Sequence, residues 1–143
     1  MSAALAKPAD VLPHRPPFLF VDEVTELTAA GARGYWDLTG DEDFFAGHFP
    51  GRPTLPGVLM IEAIAQLGAY AVLADPNVAP GKLPLFGGVD RVRFRQQVVP
   101  GDRLELEVEL GHVAARAGKG KGRALVNGKV AAQADLLFVL VDA

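Results

Sequence analysis

The 143-residue sequence contains no cysteine, which excludes disulfides, thiolate catalysis and Cys-ligated zinc. No stretch approaches the roughly 18 consecutive apolar residues of a membrane span. The opening M-S-A-A-L-A-K-P-A-D lacks the basic start and continuous apolar core of a signal peptide. Together these absences predict a cytoplasmic protein. Surplus charge is also scarce: 14 Lys and Arg against 17 Asp and Glu leave a net charge of −3. No global basic field exists to draw nucleic acid, and an acidic partner must meet a local basic patch. What is abundant is apolar residue, 50% of the chain, enough for the core of one domain spanning residues 1–143.

Residues 1–10 are small, mixed and unpatterned, and are expected to form a flexible N-terminus. Phe18–Val24 reads as a first strand and Arg33–Leu38 as a second, with Gly31 in the turn between them. Phe44 and Phe45 suggest one helical turn packing both rings inward. Gly47–Gly57 holds three glycines and three prolines in eleven residues, too many for a regular element. Pro56-Gly57 then opens the one convincing helix, running to about Leu73 and about 25 Å long. Its apolar residues point in every direction, which marks a helix buried all round. Only Glu62 and Gln66 break that pattern, and their i, i+4 spacing puts them on one face.

Residues 75–84, with three prolines, read as a linker. Beyond it the pattern is antiparallel sheet. Arg91, Arg93 and Arg95 alternate with Val92 and Phe94 within an expected strand 85–99, giving one basic and one apolar face. Leu104 to Leu110 alternates with glutamates in the clearest strand. R-A-G-K-G-K-G-R at 116–123 reads as a flexible basic hairpin tip, Asn127-Gly128 as a type I′ turn, and residues 129–141 as the last strand. The fold class is α+β: a long central helix wrapped by a curved antiparallel β-sheet. One sheet cannot cover such a helix, so burial predicts a homodimer.

A carboxylate in the second turn of an apolar helix costs several kcal/mol unless protonated, paired or hydrogen-bonded. Burial would favour the protonated form and allow Glu62 to give a proton to a leaving group. The bland alternative is a Glu62 that reaches solvent at a thin point of the packing. His48, in the constrained loop, is the matching base candidate, although a lone loop histidine is more often structural. His14 and His112 lack such a setting and read as structural. The Gly57 N–H, at the helix N-terminus, can face a developing oxyanion. Base, acid and oxyanion donor are what the removal of a proton α to a carbonyl and loss of a β-hydroxyl require.

The stretch F-F-A-G-H-F-P-G-R-P-T-L-P-G-V-L-M-I-E-A-I-A-Q resembles the signature of the β-hydroxyacyl-acyl-carrier-protein dehydratases, the FabZ type within the FabA/FabZ-like hotdog family. So do L-P-H-R-P-P-F-L-F-V-D at 12–22, F-G-G-V-D-R-V-R-F-R at 86–95, V-P-G-D-R-L at 99–104 and N-G-K-V-A-A-Q-A at 127–134. The resemblance implies a hotdog fold and a dimer with interfacial active sites, often a trimer of dimers. It implies no cofactor and no metal. His48 and Glu62 match the catalytic positions, supplied by different subunits, and Gly57 matches the glycine whose amide polarises the thioester carbonyl. Gln66, Phe49 and Pro56 fall within the same substrate-binding stretch. The family commonly has a tyrosine before F-x-G-x-D, thought to gate the acyl tunnel. This chain reads Pro84-Leu85-Phe86, so Leu85 and Phe86 either line the tunnel or belong to the sheet core.

The implied substrate is a phosphopantetheine-linked 3-hydroxyacyl chain on acyl carrier protein, an acidic partner. Docking candidates are Arg52, Arg91, Arg93 and Arg95, against the alternative of a solvated strand face. Two other functions stay open on sequence: a hotdog thioesterase, in which the helix carboxylate activates water, and a non-catalytic acyl-binding protein.

Overall fold

The computed structural model describes residues 5–143. Its elements are α1 (Pro8–Val11), β1 (Glu23–Thr28), β2 (Gly31–Asp37), a 3₁₀ turn (Asp43–Ala46), α2 (Gly57–Leu73), β3 (Lys82–Phe94), β4 (Arg103–Val113), β5 (Ala117–Val126) and β6 (Lys129–Asp142). Six strands form one sheet in the order β1-β2-β4-β5-β6-β3. Every neighbouring pair is antiparallel. Helix α2 lies against the inner face of this sheet, and its residues from Met60 to Val72 are buried except Glu62.

Several expectations hold. Helix α2 begins and ends where the Pro-Gly start and the linker after Leu73 place it. In β4, Leu104, Leu106 and Val108 face the core, while Glu105, Glu107 and Glu109 face outward. Asn127 and Gly128 both take positive φ, 51° and 78°, as a type I′ turn requires.

Others are corrected. Part of the expected flexible terminus, residues 1–4, lies outside the described residues, and residues 8–11 are helical with Pro8 buried. The Tyr70 hydroxyl donates to the Ala6 carbonyl at 2.7 Å, tying this segment to α2. Phe18–Asp22 is not in the sheet; the first strand starts at Glu23. The reason is local: Gln66 bonds the Phe20 N–H and the Phe18 carbonyl, doing for this segment what a ladder would do. The Phe20 ring stacks on Trp36 at 4.6 Å and 17° inside the core.

The linker is shorter than expected, because β3 starts at Lys82 and includes Pro84. A proline is tolerated there because β3 is an edge strand, bonded only to β6. Consequently β3 does not lead into the β4-β5-β6 meander but lies beyond its far strand. A register shift between Asp90 and Arg93, with Arg91 at φ 52°, interrupts the alternation. β3 ends at Phe94, so Arg91, Arg93 and Arg95 do not share one regular strand face.

The largest correction concerns 116–123, which is strand β5 and not a loop tip. Lys119, Lys121 and Arg123 point outward, and Gly118, Gly120 and Gly122 lie buried under the helix. A methyl group on Gly122 would sit 2.1 Å from Ile64 Cγ2, and one on Gly118 would sit 3.3 Å from Val72 Cγ2. At 118 and 122 the residue is glycine because α2 occupies the space that a side chain would fill.

Candidate active site

Two groups of residues form around the two ends of the signature stretch. The first is the histidine loop. The His48 and Gly47 N–H groups both donate to the Phe44 carbonyl at the end of the 3₁₀ turn, and Thr54 N–H returns to the His48 carbonyl at 2.8 Å. Leu55 N–H then bonds Val98 O, and Gln97 donates to the Thr54 hydroxyl, pinning the loop to the segment after β3. His48 Nδ1 lies 2.8 Å from the Thr54 carbonyl oxygen. A carbonyl only accepts, so Nδ1 carries the proton and Nε2 keeps its lone pair. The exposed Phe49 ring stacks on the imidazole at 4.0 Å.

Pro56 caps α2 and Gly57 is its first residue, with an N–H that has no intrahelical acceptor. The Phe94 ring rests where a side chain on Gly57 would begin, 2.9 Å from the position of a Cβ. A side chain at position 57 would have to displace the Phe94 ring.

The second group surrounds Glu62. Gln66 is 1% exposed and its amide orientation is set by its neighbours. Its Oε1 accepts the Phe20 N–H at 2.7 Å, so its Nε2 donates, to Phe18 O at 3.1 Å and to Glu62 Oε2 at 2.9 Å. Glu62 Oε2 is therefore an acceptor, and a proton on this carboxyl resides on Oε1. The Glu62 side chain is 19% exposed, so the expected cost of full burial is relieved by solvent and by the Gln66 bond. It borders a cavity of about 50 Å³ shared with Gln66, His14, Leu85, Phe86 and Phe138. Leu85 and Phe86 thus stand beside the carboxylate, and Phe86 also stacks on Phe138 at 6.5 Å.

His14, read as structural from sequence, is in this second group, with Nε2 3.6 Å from Glu62 Oε2. Its partner is 48 positions away, and only the L-P-H-R-P-P resemblance at 12–17 hinted at a role. Within one chain His48 and Glu62 are not joined, since neither a hydrogen bond nor an ion pair links them. Of the arginines, Arg91 is paired with Asp135 at 2.8 Å and Arg95 bonds Gln133. Arg93 donates to the carbonyl of Val92, and Arg52 is exposed in the loop. Among the described residues no cluster of three His, Asp or Glu could hold a metal ion. No helix is long and apolar enough to cross a membrane.

A long helix enclosed by a curved antiparallel sheet, with a histidine loop feeding its N-terminus, is the hotdog class of α+β protein. A dehydratase heterocomplex, ApeI:P from Xenorhabdus doucetiae, superposes with a TM-score of 0.80 over 96% of this chain and 93% of that one, at 18% identity, and so shares the fold. The chain belongs to the FabA-like family, whose domain model matches residues 12–135. It is 54% identical over 131 residues to the 3-hydroxyacyl-acyl-carrier-protein dehydratase FabZ of Moorella thermoacetica, covering 91% of each chain. The FabZ of Clostridium botulinum is 52% identical, covering 91% of this chain and 90% of that one. That of Herpetosiphon aurantiacus is 49% identical, with 92% and 94% covered.

Proposed function

We propose that the chain is a hydro-lyase of fatty-acid or related lipid or polyketide synthesis, converting (3R)-hydroxyacyl-acyl-carrier-protein to the trans-2-enoyl thioester and water. The relatives' names and the family membership support the reaction. The observation that carries the mechanism is the tautomer of His48. With Nδ1–H committed to Thr54 O, Nε2 is a base ready to take the α proton. As the C–H bond breaks, charge moves onto the thioester oxygen, where the Gly57 N–H and the helix N-terminus favour it. The C–O bond of the β-hydroxyl then breaks as the proton on Glu62 Oε1 passes to it, and water leaves. The steps are acid–base throughout.

Because His48 and Glu62 of one chain are not joined, the pair forms between subunits, His48 facing Glu62 of the partner subunit. Apolar side chains left exposed on the open edge strand and around the loop support a dimer: Phe94 is 53% and Val58 70% exposed, with Leu85, Phe86 and Val89 beside them. An unpaired strand edge bearing such residues invites pairing with a second copy. We propose a trimer of dimers as the higher assembly and the cytoplasm as the compartment. Leu85, Phe86, Phe49 and Pro56 line the acyl path with Gly57 and Gln66. The carrier protein's acidic surface meets Arg52, Arg93 and Arg95, with Arg91 less available through its Asp135 pair.

The test is Glu62→Gln, assayed by mass spectrometry on a panel of 3-hydroxyacyl-carrier-protein chain lengths. Turnover should fall by about 10²–10⁴-fold with circular dichroism and dimer mass unchanged. Near-normal dehydration by this variant overturns the assignment.

A further inference from the structure

His14 is a titratable side chain that the proposed reaction leaves unused, and its surroundings are specific. The segment carrying it is held in place: the Arg15 guanidinium turns back to donate to the Leu12 and His14 carbonyls at 2.8 and 2.6 Å. Phe18 N–H closes a turn onto Arg15 O at 2.8 Å, and Gln66 anchors the chain again at Phe18 and Phe20. Arg15 is thereby directed away from the carboxylate. No lysine or arginine makes an ion pair with Glu62; His14 is the one basic group in reach among the described residues.

The two nitrogens of His14 differ sharply. Nδ1 is fully buried and has no hydrogen-bond partner. Nε2 faces Glu62 Oε2 across 3.6 Å, in the cavity that also holds Gln66. A buried N–H without an acceptor is more costly than a bare lone pair. The imidazole proton therefore belongs on Nε2. His14 is thus a donor aimed at Oε2, the tautomer opposite to that of His48.

Resting on the reading of Glu62 as the general acid, we infer that His14 is a positioning residue: Gln66 Nε2–H donates to Glu62 Oε2 throughout, and His14 Nε2–H closes on the same oxygen as the proton leaves Oε1. At 3.6 Å the contact is too long for a hydrogen bond in the resting geometry. It shortens as the proton departs and negative charge collects on the carboxylate, so its contribution arises during the transfer and lowers the barrier instead of merely tightening binding.

The test compares His14→Gln, His14→Asn and His14→Phe in the full-length dimer. A glutamine amide reaches the place of Nε2, an asparagine amide only that of Nδ1, and phenylalanine keeps the ring without a donor. Expected are kcat values near wild type for His14→Gln and about a hundredfold lower, or somewhat less, for His14→Asn and His14→Phe, with KM little changed in all three. Wild-type kcat in His14→Phe, or equal impairment of the Gln and Asn variants, overturns the inference; should His14→Phe fail to fold, the Gln and Asn pair decides. As a readout apart from activity, ¹⁵N shifts of the labelled His14 ring should show a bare Nδ1 and a protonated Nε2, and the reverse tautomer or imidazolium overturns it. If Glu62→Gln is inert while His14→Phe is fully active, the positioning role fails and the dehydratase mechanism stands. If Glu62→Gln is active, the reading of the acid itself has failed.

Discussion

Gln66 commits both of its amide N–H groups and its oxygen to three partners on two segments, so one side chain both holds the 18–20 backbone and orients the Glu62 carboxyl. Replacing it by leucine should cost about 1–3 kcal/mol for each buried group left unpaired, read as a lower denaturant midpoint at fixed protein concentration. The same variant should turn over more slowly, because Glu62 Oε2 loses its donor; unchanged stability together with unchanged kcat would show that these bonds contribute nothing. At this scale the sequence exposed Glu62, Gln66, His48 and Gly57 as interruptions of otherwise uniform surroundings. It did not expose His14. That residue's meaning comes from a carboxylate 48 positions later and from which of its nitrogens is sealed, neither of which local composition encodes. Nor could it show that Gln66 reaches across to Phe18 and Phe20.

Among the elements, β5 and α2 depend on each other most directly. Gly122 leaves no room for a side chain, since an added methyl would meet Ile64 Cγ2 at 2.1 Å. Gly122→Ala should destabilise the protein by about 1–3 kcal/mol through overpacking. Combined with Ile64→Ala, the loss should be smaller than the sum of the single losses, a coupling of about 0.5–3 kcal/mol for residues in contact. Strict additivity in thermal or denaturant melts would refute the contact. This pairing also explains what was legible. Helix α2 announces itself by its Pro-Gly start and long apolar run, and strand β4 by its period of 2, signals that their own residues set. The G-K-G-K-G run at 118–122 carries β4's alternation, but with glycine in place of apolar residues, because at 118 and 122 the helix supplies the bulk on that face. Glycine and lysine signal a loop when read locally, and only the tertiary neighbour makes them a strand. The proline in β3 misled for a similar reason, as its tolerance depends on edge position in a sheet order that sequence does not display.

For the whole molecule, the proposed mechanism pairs His48 of one subunit with Glu62 of the other, so that under this proposal subunit pairing is part of the chemistry. Mixing His48→Ala with Glu62→Gln subunits should restore roughly a quarter of wild-type activity, since half of randomly paired dimers are hybrids with one intact site. Complete inactivity despite proven exchange of subunits would place both residues in a site of another kind. The architecture also makes the two sides of α2 unequal. Toward β5 there is no clearance between helix and strand, so change on that side displaces the helix that carries the carboxylate. Toward β3, Leu85 and Phe86 stand half-exposed on an edge strand beside the small cavity. Under the proposed function, substrate length is therefore expected to be retuned from one wall only: enlarging or trimming residues 85 and 86 should alter the room for an acyl chain, whereas the glycine wall acts as a fixed datum from which the proposed catalytic groups are measured.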